Sequence, residues 1–397
     1  MARILLMSLG SRGDMEPFLA LGQERIKQGD TVAFCMPVQF ESLAKEVSPL
    51  FYGQDPRLIE IITSPEVKKI MGQVGSIISR MRAALRLKNK IKPVQEQLIL
   101  DQEQAVKSFN PDQIIFHIKC IYPVLWALKF NGKVKLLSPM PALLDPMKEQ
   151  PHVGFGTPLF QSWNLFTYKL AEYALVNVSI LGYGKCFIKD RKLNLSTKQI
   201  QAFFRKQLSV EYALSEELFQ RPSYWPKRAV MTRFRERNKL DHFTPDKNLL
   251  DFLAAHPNPL YIGFGSMINN NPKQVARDIL SCCEKHNIAV VINESWGGIE
   301  CPTNLPEWAY KVKDIPYDFL FEKVGRVIHH GGSGTTHSAF KYNRPQAIIP
   351  HIADQFFWNK QIEKVGVGIS GFPIKKWNIQ NFEHLLLQLN SFNFLNK

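Results

Sequence analysis

Two α/β domains in tandem, each a parallel sheet flanked by helices, is the fold class the sequence predicts, and three observations predict it. The chain of 397 residues is too long for one typical domain. Short apolar runs alternate with stretches of helical periodicity in both halves. That alternation restarts near residue 258, after a stretch rich in Pro and charge.

In the first half, strands are expected at "RILLMSL", "DTVAFCM", "QIIFHI" and "VKLLSP", with a helix at "EPFLALGQERIKQG" after the first. In the second half they are expected at "PLYIGFGS", "AVVINES", "YKVKDIP", "RVIHHGG" and "PQAIIP". The segment "RPSYWPKRAVMTRFRERNKLDHFTPDKN" reads as the connection, which sets domains of 1–238 and 239–380. The closing "NIQNFEHLLLQLNSF" has helical spacing at Phe382, Leu385, Leu386 and Leu389, so 381–397 is expected as a helix packing back on the domains.

Apolar residues make up 45% of the chain and charged residues 21%, an ordinary globular composition with no stretch biased enough to be disordered. The first residues lack the order of a secretory signal, and the longest apolar region, "YALVNVSILGYGKCFI", is broken within the roughly 20 residues a bilayer needs. A cytoplasmic protein follows as the expectation. The six cysteines show no CxxC spacing and read as reduced, mostly buried thiols. A net charge of +15 asks for an anionic partner: nucleic acid, membrane or phosphorylated ligand. No zinc-finger, KH or RRM signature is present, so nucleic acid is not expected. From Ser64 to Ile91 an apolar helical stripe is crowded by Lys and Arg, a pattern that fits peripheral contact with an anionic membrane and equally a solvated helix packed on the core.

The strongest local signal is "VIHHGGSGTTHSAFKYNRPQ". A strand ends, Gly331, Gly332 and Gly334 loosen the turn, and a helix starts at Thr335. Free N–H groups and the helix dipole make such a turn an anion site, and His329 and Ser333 can add donors to a diphosphate. His330, next along the strand, points to the opposite face and is expected to be structural. The turn "PHIADQFFWN" carries Asp354 and Gln355, able to fix adjacent hydroxyls of a sugar, and "GFGSM" brings Gly263, Gly265 and Ser266 to the same rim.

The runs "LYIGFGSM", "IPYDFLF", "VIHHGGSGTT" and "IPHIADQFFWN", in this order and spacing, resemble the nucleotide-sugar domain of family 1 glycosyltransferases of the GT-B fold. The nearest branch is the sterol glucosyltransferases and the bacterial enzymes that glycosylate antibiotics and lipids, which "GSRGDMEPFLALG" also resembles. The likeness is specific from about residue 255 to 370 and weak from about 50 to 250. It implies two Rossmann-like domains facing across a cleft, with the nucleotide-sugar donor on the second and the acceptor on the first. It implies that His329 holds the diphosphate, with Ser333, Gly334 and Thr335 donating to its oxygens, Ser266 nearby, and the backbone at Ile315 reading the uracil edge. Plant relatives stack uracil on a Trp near this last position, where this chain has "VKDIPYDF".

Plant members use a His as catalytic base where this chain has Asp14, so the resemblance makes Arg12-Gly13-Asp14 a catalytic loop and not an adhesion tripeptide. Ser11, Arg12 and Gly13 would then approach the donor phosphates. His117 could assist Asp14 or be structural, and His152 is a candidate on the acceptor side. The expected reaction is an inverting, metal-independent transfer of a hexose, glucose from UDP-glucose first, to a hydroxyl of an apolar acceptor such as a sterol, lipid or aromatic natural product. No cofactor or metal is expected, and no Asp-x-Asp pair occurs in the chain. Two alternatives stay open: a non-catalytic nucleotide-sugar-binding homologue or partner subunit, and a UDP-sugar epimerase of GT-B architecture.

Overall fold

A computed structural model describes residues 1–62, 77–155, 158–294 and 297–392. The basic stripe expected from Ser64 to Ile91 lies outside the described residues as far as 76, and from 77 to 89 only the backbone of a helix is described. Among the described residues no helix is long and apolar enough to cross a membrane.

The chain forms two compact units, one of residues 1–139, 166–213 and 224–237, the other of residues 140–165, 214–223 and 238–397. The cut is therefore not a single one at 238. Residues 214–223 belong with the second unit because Phe219 packs edge-on to Phe357, Gln361 Nε2 donates to the Leu218 carbonyl at 2.7 Å, and Ser215 N donates to His337 Nε2 at 3.1 Å.

The first unit holds a seven-stranded sheet: β1 (Arg3–Met7), β2 (Thr31–Pro37), β3 (Phe51–Gln54), β4 (Gln113–Phe116), β5 (Val134–Ser138), β6 (Ser209–Ala213) and β7 (Ala229–Thr232), in the order β3-β2-β1-β4-β5-β6-β7. Every pairing is parallel. Three of these strands escape the sequence reading: β3, β6 and β7, the last of them inside the segment read as a connection. Helix α1 (Arg12–Lys27) packs on the sheet, with Met15, Phe18 and Leu19 in one cluster with Ile4, Leu6, Val32 and Phe34. Each of these side chains is fully or almost fully buried. Burial of that kind stabilises by about 1.5–3 kcal/mol per large residue, more than an exposed ion pair supplies.

The second unit holds a six-stranded parallel sheet: β8 (Leu260–Gly263), β9 (Val290–Asn293), β10 (Ala309–Val312), β11 (Arg326–His329), β12 (Gln346–Ile348) and β13 (Gly368–Ser370), ordered β10-β9-β8-β11-β12-β13. Strand residues alternate between two cores, as a period of two requires. Tyr261, Val291 and Val327 enter one cluster; Ile262, Ile292 and Ile328 enter the other. The last helix, α2 (Ile379–Ser391), is built into the second cluster through Phe382, Leu385, Leu386 and Leu389, so it belongs to this unit.

Candidate functional site

In an open parallel sheet, ligands bind beyond the carboxyl ends of the strands where the strand order reverses. That point lies between β1 and β4 in the first unit and between β8 and β11 in the second. The sequence-predicted residues fall at both.

At the first switch point, Met7 is in register with Phe116, and His117 N donates to the Met7 carbonyl at 2.9 Å. The chain leaving β1 therefore runs beside the chain leaving β4. Helix α1 begins at Arg12, with Ser11 as its N-cap, so Asp14 stands in the first helical turn. The expected catalytic loop is thus a helix start, four residues earlier than the expected start at Glu16. The reason is the carboxylate of Asp14, whose Oδ2 accepts from Ser11 N at 2.7 Å and Ser11 Oγ at 3.1 Å, half of a capping box.

The other carboxylate oxygen, Oδ1, has two neighbours from beyond β4. Lys119 Nζ donates to it at 3.0 Å, and His117 Nε2 faces it at 3.3 Å without the alignment of an ordinary hydrogen bond. Lys119 N points to His117 Nδ1 at 3.4 Å, which leaves the imidazole proton on Nε2, toward Asp14. Burial pushes the Asp14 carboxyl up, but the Lys119 and His117 charges and the hydrogen bonds from Lys119 and Ser11 outweigh it, so the carboxyl lies below its ordinary value. Burial holds His117 neutral, down to about 4. The pair at neutral pH is a carboxylate beside a neutral imidazole. Arg12 turns along the helix to Glu16 at 3.3 Å. Gly13 follows it in the same turn.

At the second switch point, His329 is in register with Gly263 on one side and Ile348 on the other. His329 is fully buried, its Nε2 2.9 Å from Gln346 Oε1 and its Nδ1 accepting from Gly331 N at 3.1 Å. Both ring nitrogens are spent inside the protein, so the structure corrects the expectation that this side chain holds a diphosphate. His330 has the better position. It is only half-buried, and its ring lies between two glycines: a Cβ on Gly265 would come 2.9 Å from its Cε1, and one on Gly332 would come 2.5 Å from its Nε2. Its Nδ1 points toward the Gly263 carbonyl without closing an ordinary hydrogen bond, and burial lowers its pKa to about 4.

Helix α3 (Ser333–Lys341) starts at a Gly332 cap with no side-chain acceptor, and its first backbone bond is Thr336 N to the Gly332 carbonyl at 3.0 Å. The N–H groups of Ser333, Gly334 and Thr335 precede that bond and have no acceptor within the helix. The Thr335 hydroxyl is turned inward to Tyr317 OH at 3.3 Å, so what this residue offers a ligand is its N–H. Gly331 has a left-handed φ of +90° and a buried position, and Ser333 is half-buried.

The turn after β12 departs from expectation at one residue. Gln355 Oε1 accepts from His351 N at 2.7 Å and Ile352 N at 3.0 Å, and Nε2 donates to Met267 Sδ at 3.3 Å. This amide closes its own turn and is not presented to a sugar; an amide next to a tight turn is equally suited to capping backbone N–H groups. Asp354, the N-cap of a helix over Gln355–Lys364, is half-buried beside it. Ser266 is half-buried after Gly265, whose φ of +55° makes the turn. Ile315 packs its side chain into the core, which leaves only its backbone for recognition. His152, expected in the first domain, clusters with the second unit, where its Nδ1 accepts from Gly154 N at 3.2 Å. Among the described residues no three His, Cys, Asp or Glu side chains are grouped closely enough to hold a metal ion.

A family model described as the C-terminal domain of erythromycin biosynthesis protein CIII-like proteins matches residues 284–378. The chain is 28% identical over 388 residues to the sterol 3-beta-glucosyltransferase UGT80B1 of Arabidopsis thaliana, covering 96% of this chain and 61% of that protein. It is 33% identical over 407 residues to the sterol 3-beta-glucosyltransferase of Neurospora crassa, covering 97% of this chain and 25% of that one. The chain thus spans about three fifths of the plant relatives' length and less of the fungal ones. Among solved structures, the glycotransferase of kitacinnamycin superposes with a TM-score of 0.67 at 11% identity, covering 98% of this chain and 91% of that one. The calicheamicin glycosyltransferase CalG4 gives 0.64 at 14% identity, covering 98% and 90%. The chain is similar in sequence to sterol 3-beta-glucosyltransferases and shares the fold of these glycosyltransferase structures.

Sequence reasoning missed two residues of this site. Lys119 carries no motif signal, since a lone Lys after a strand is common. The choice of His330 over His329 needed the knowledge of which sheet face is closed by Gln346, and alternation along a strand says only that the two differ.

Proposed function

We propose that the chain is an inverting glycosyltransferase that moves a hexose, glucose from UDP-glucose as the first candidate, to a hydroxyl of an apolar acceptor such as a sterol, lipid or aromatic natural product. The observation that carries this reading is the anion site at the start of α3, where three N–H groups without helical acceptors stand beside the half-buried His330 ring. The similarity to sterol 3-beta-glucosyltransferases, over 96% and 97% of this chain, supports the acceptor class.

In this reading the diphosphate lies on the N–H groups of Ser333, Gly334 and Thr335, with Ser266 nearby and the His330 ring beside it, which becomes a donor when the diphosphate's charge draws a second proton onto it. The helix dipole and these donors stabilise the charge that collects on the leaving diphosphate as the bond to the anomeric carbon breaks. Asp354 binds a sugar hydroxyl, and the backbone at Ile315 meets the uracil edge. Asp14 takes the acceptor hydroxyl's proton as the oxygen forms its bond to the anomeric carbon, and His117 orients the carboxylate. One displacement gives inversion. Backbone N–H groups, the helix dipole and an imidazole able to take up a proton can stabilise the leaving group's charge without a metal. The chain's excess positive charge also favours contact with an anionic membrane from which an apolar acceptor could be taken.

Incubation with UDP-glucose, EDTA and a panel of sterols, lipids and phenols, read by mass spectrometry, tests the proposal. The expected product is a hexose adduct, whose anomeric proton coupling by NMR is expected to show the configuration opposite to the donor's. UDP-glucose binding with no adduct for any acceptor class would instead favour a binding homologue.

A further inference from the structure

The first switch point contains a cation that the proposed reaction does not use. Lys119 Nζ sits 3.0 Å from Asp14 Oδ1, the carboxylate oxygen left over once Ser11 has taken Oδ2. The approach is built into the chain. Gly10 has a φ of +136°, and a Cβ there would come 2.6 Å from Lys119 Nζ and would also overlap Asp14 Oδ2. A side chain at position 10 would therefore push the ammonium off the carboxylate. Asp14 is 11% exposed at its side chain while Lys119 is 44% exposed, so the carboxylate is fixed and the ammonium is the member free to withdraw.

We propose that Lys119 is a positioning residue for Asp14: in the resting site its ammonium holds the Oδ1 edge of the carboxylate, keeping it ionised and aimed, and an acceptor hydroxyl takes over that edge as Lys119 swings toward solvent. This rests on the reading of Asp14 as the base. The long, half-exposed stem suits such a role, since a Lys stem rotates at little cost and its head stays hydrated when it leaves. The groups facing Asp14 are His117 and Lys119 from beyond β4, the adjacent buried Cys120 thiol, and the Ser11 hydroxyl on its own turn. At neutral pH His117 is uncharged and the thiol protonated, which leaves Lys119 as the charge that sets the state of the carboxylate.

The test is the pH profile of kcat/KM for the full chain and for Lys119→Met, Lys119→Gln and Lys119→Arg, beside a 13C titration of the Asp14 carboxyl, assigned by its loss in Asp14→Asn. Without the cation, the carboxyl titration and the acid limb of kcat/KM are both expected to move up by about one pH unit or more, and Lys119→Arg to restore them. A merely structural Lys119 would lower the rate at every pH and leave the limb in place. An unmoved carboxyl titration in both neutral variants overturns the proposal. If the titration moves and the kinetic limb does not, the Lys119–Asp14 pair stands as the holder of that carboxylate, and the assignment of Asp14 as base is what fails.

Discussion

A methyl group on Gly332 would come 2.5 Å from Nε2 of His330, well inside contact distance, so the imidazole lies where any larger residue would put its Cβ. The helix cap and the imidazole therefore fit together only because position 332 is glycine. Gly332→Ala is expected to displace the ring and the first turn of α3 together. Overpacking of this kind costs roughly 1–3 kcal/mol, so UDP affinity by calorimetry should fall about tenfold or more, with a smaller loss of thermal stability.

His329 and His330 separate on two different measurements. His329→Ala removes a fully buried ring and leaves Gln346 Oε1 and Gly331 N without their partner. Unsatisfied buried groups cost about 1–3 kcal/mol each, so this variant should lose its stability first. His330→Ala removes a half-buried ring with an unsatisfied nitrogen, so it should melt near the native temperature while UDP affinity drops. The reverse pattern would return the diphosphate role to His329.

Much of the architecture is legible in the sequence because parallel strands buried on both faces write themselves as continuous apolar runs. "RILLM" and "QIIF" are of this kind, and they lead directly to the two residues of the first switch point. Not every edge strand is legible: β7 reads Ala-Val-Met-Thr amid Arg and Lys, with only its first residue buried. Asp14, at the end of such a run, is found from sequence; Lys119 and the cap role of Gln355 are not. Lys119 depends on which backbone lies alongside, a relation set by pairings across about a hundred residues, while Gln355 depends on the tightness of its own turn, which brings His351 N and Ile352 N to its amide oxygen.

Asp14→Asn keeps the shape of the carboxylate and an oxygen for the Ser11 N–H, but it cannot accept a proton in the transition state. Helix α1 should therefore remain capped and circular dichroism change little, while the amide NH2 set against the Lys119 ammonium and the His117 Nε2–H lowers the melting temperature modestly. Transfer is expected to fall by about 10²–10⁴-fold, read as initial rates with UDP-glucose and the acceptor identified in the panel. Equal rates for the native chain and the variant would remove Asp14 from the chemistry.

Six imidazoles, buried or half-buried, are held neutral, which predicts an unusual acid sensitivity. Burial lowers His117, His152, His330 and His337 to about 4 and His329 and His351 to about 3, against 6.5 for an unperturbed ring. Below pH 6.5 the unfolded chain binds protons at these rings and the folded chain does not, so the unfolded state holds more protons and stability falls as pH falls. The window runs from about 6.5 down to about 4, above the range where depressed carboxyls such as Asp14 begin to lose their contribution. Each ring adds a slope of about 1.4 kcal/mol per pH unit inside the window. Thermal midpoints measured from pH 7.5 to 4.5 should decline from about 6.5 onward, and His337→Gln, which removes one such ring, should make the decline shallower. A midpoint that stays flat to pH 5 would show that these rings take up protons in the folded state, and the closed packing around His329 and His337 would then have to open in solution.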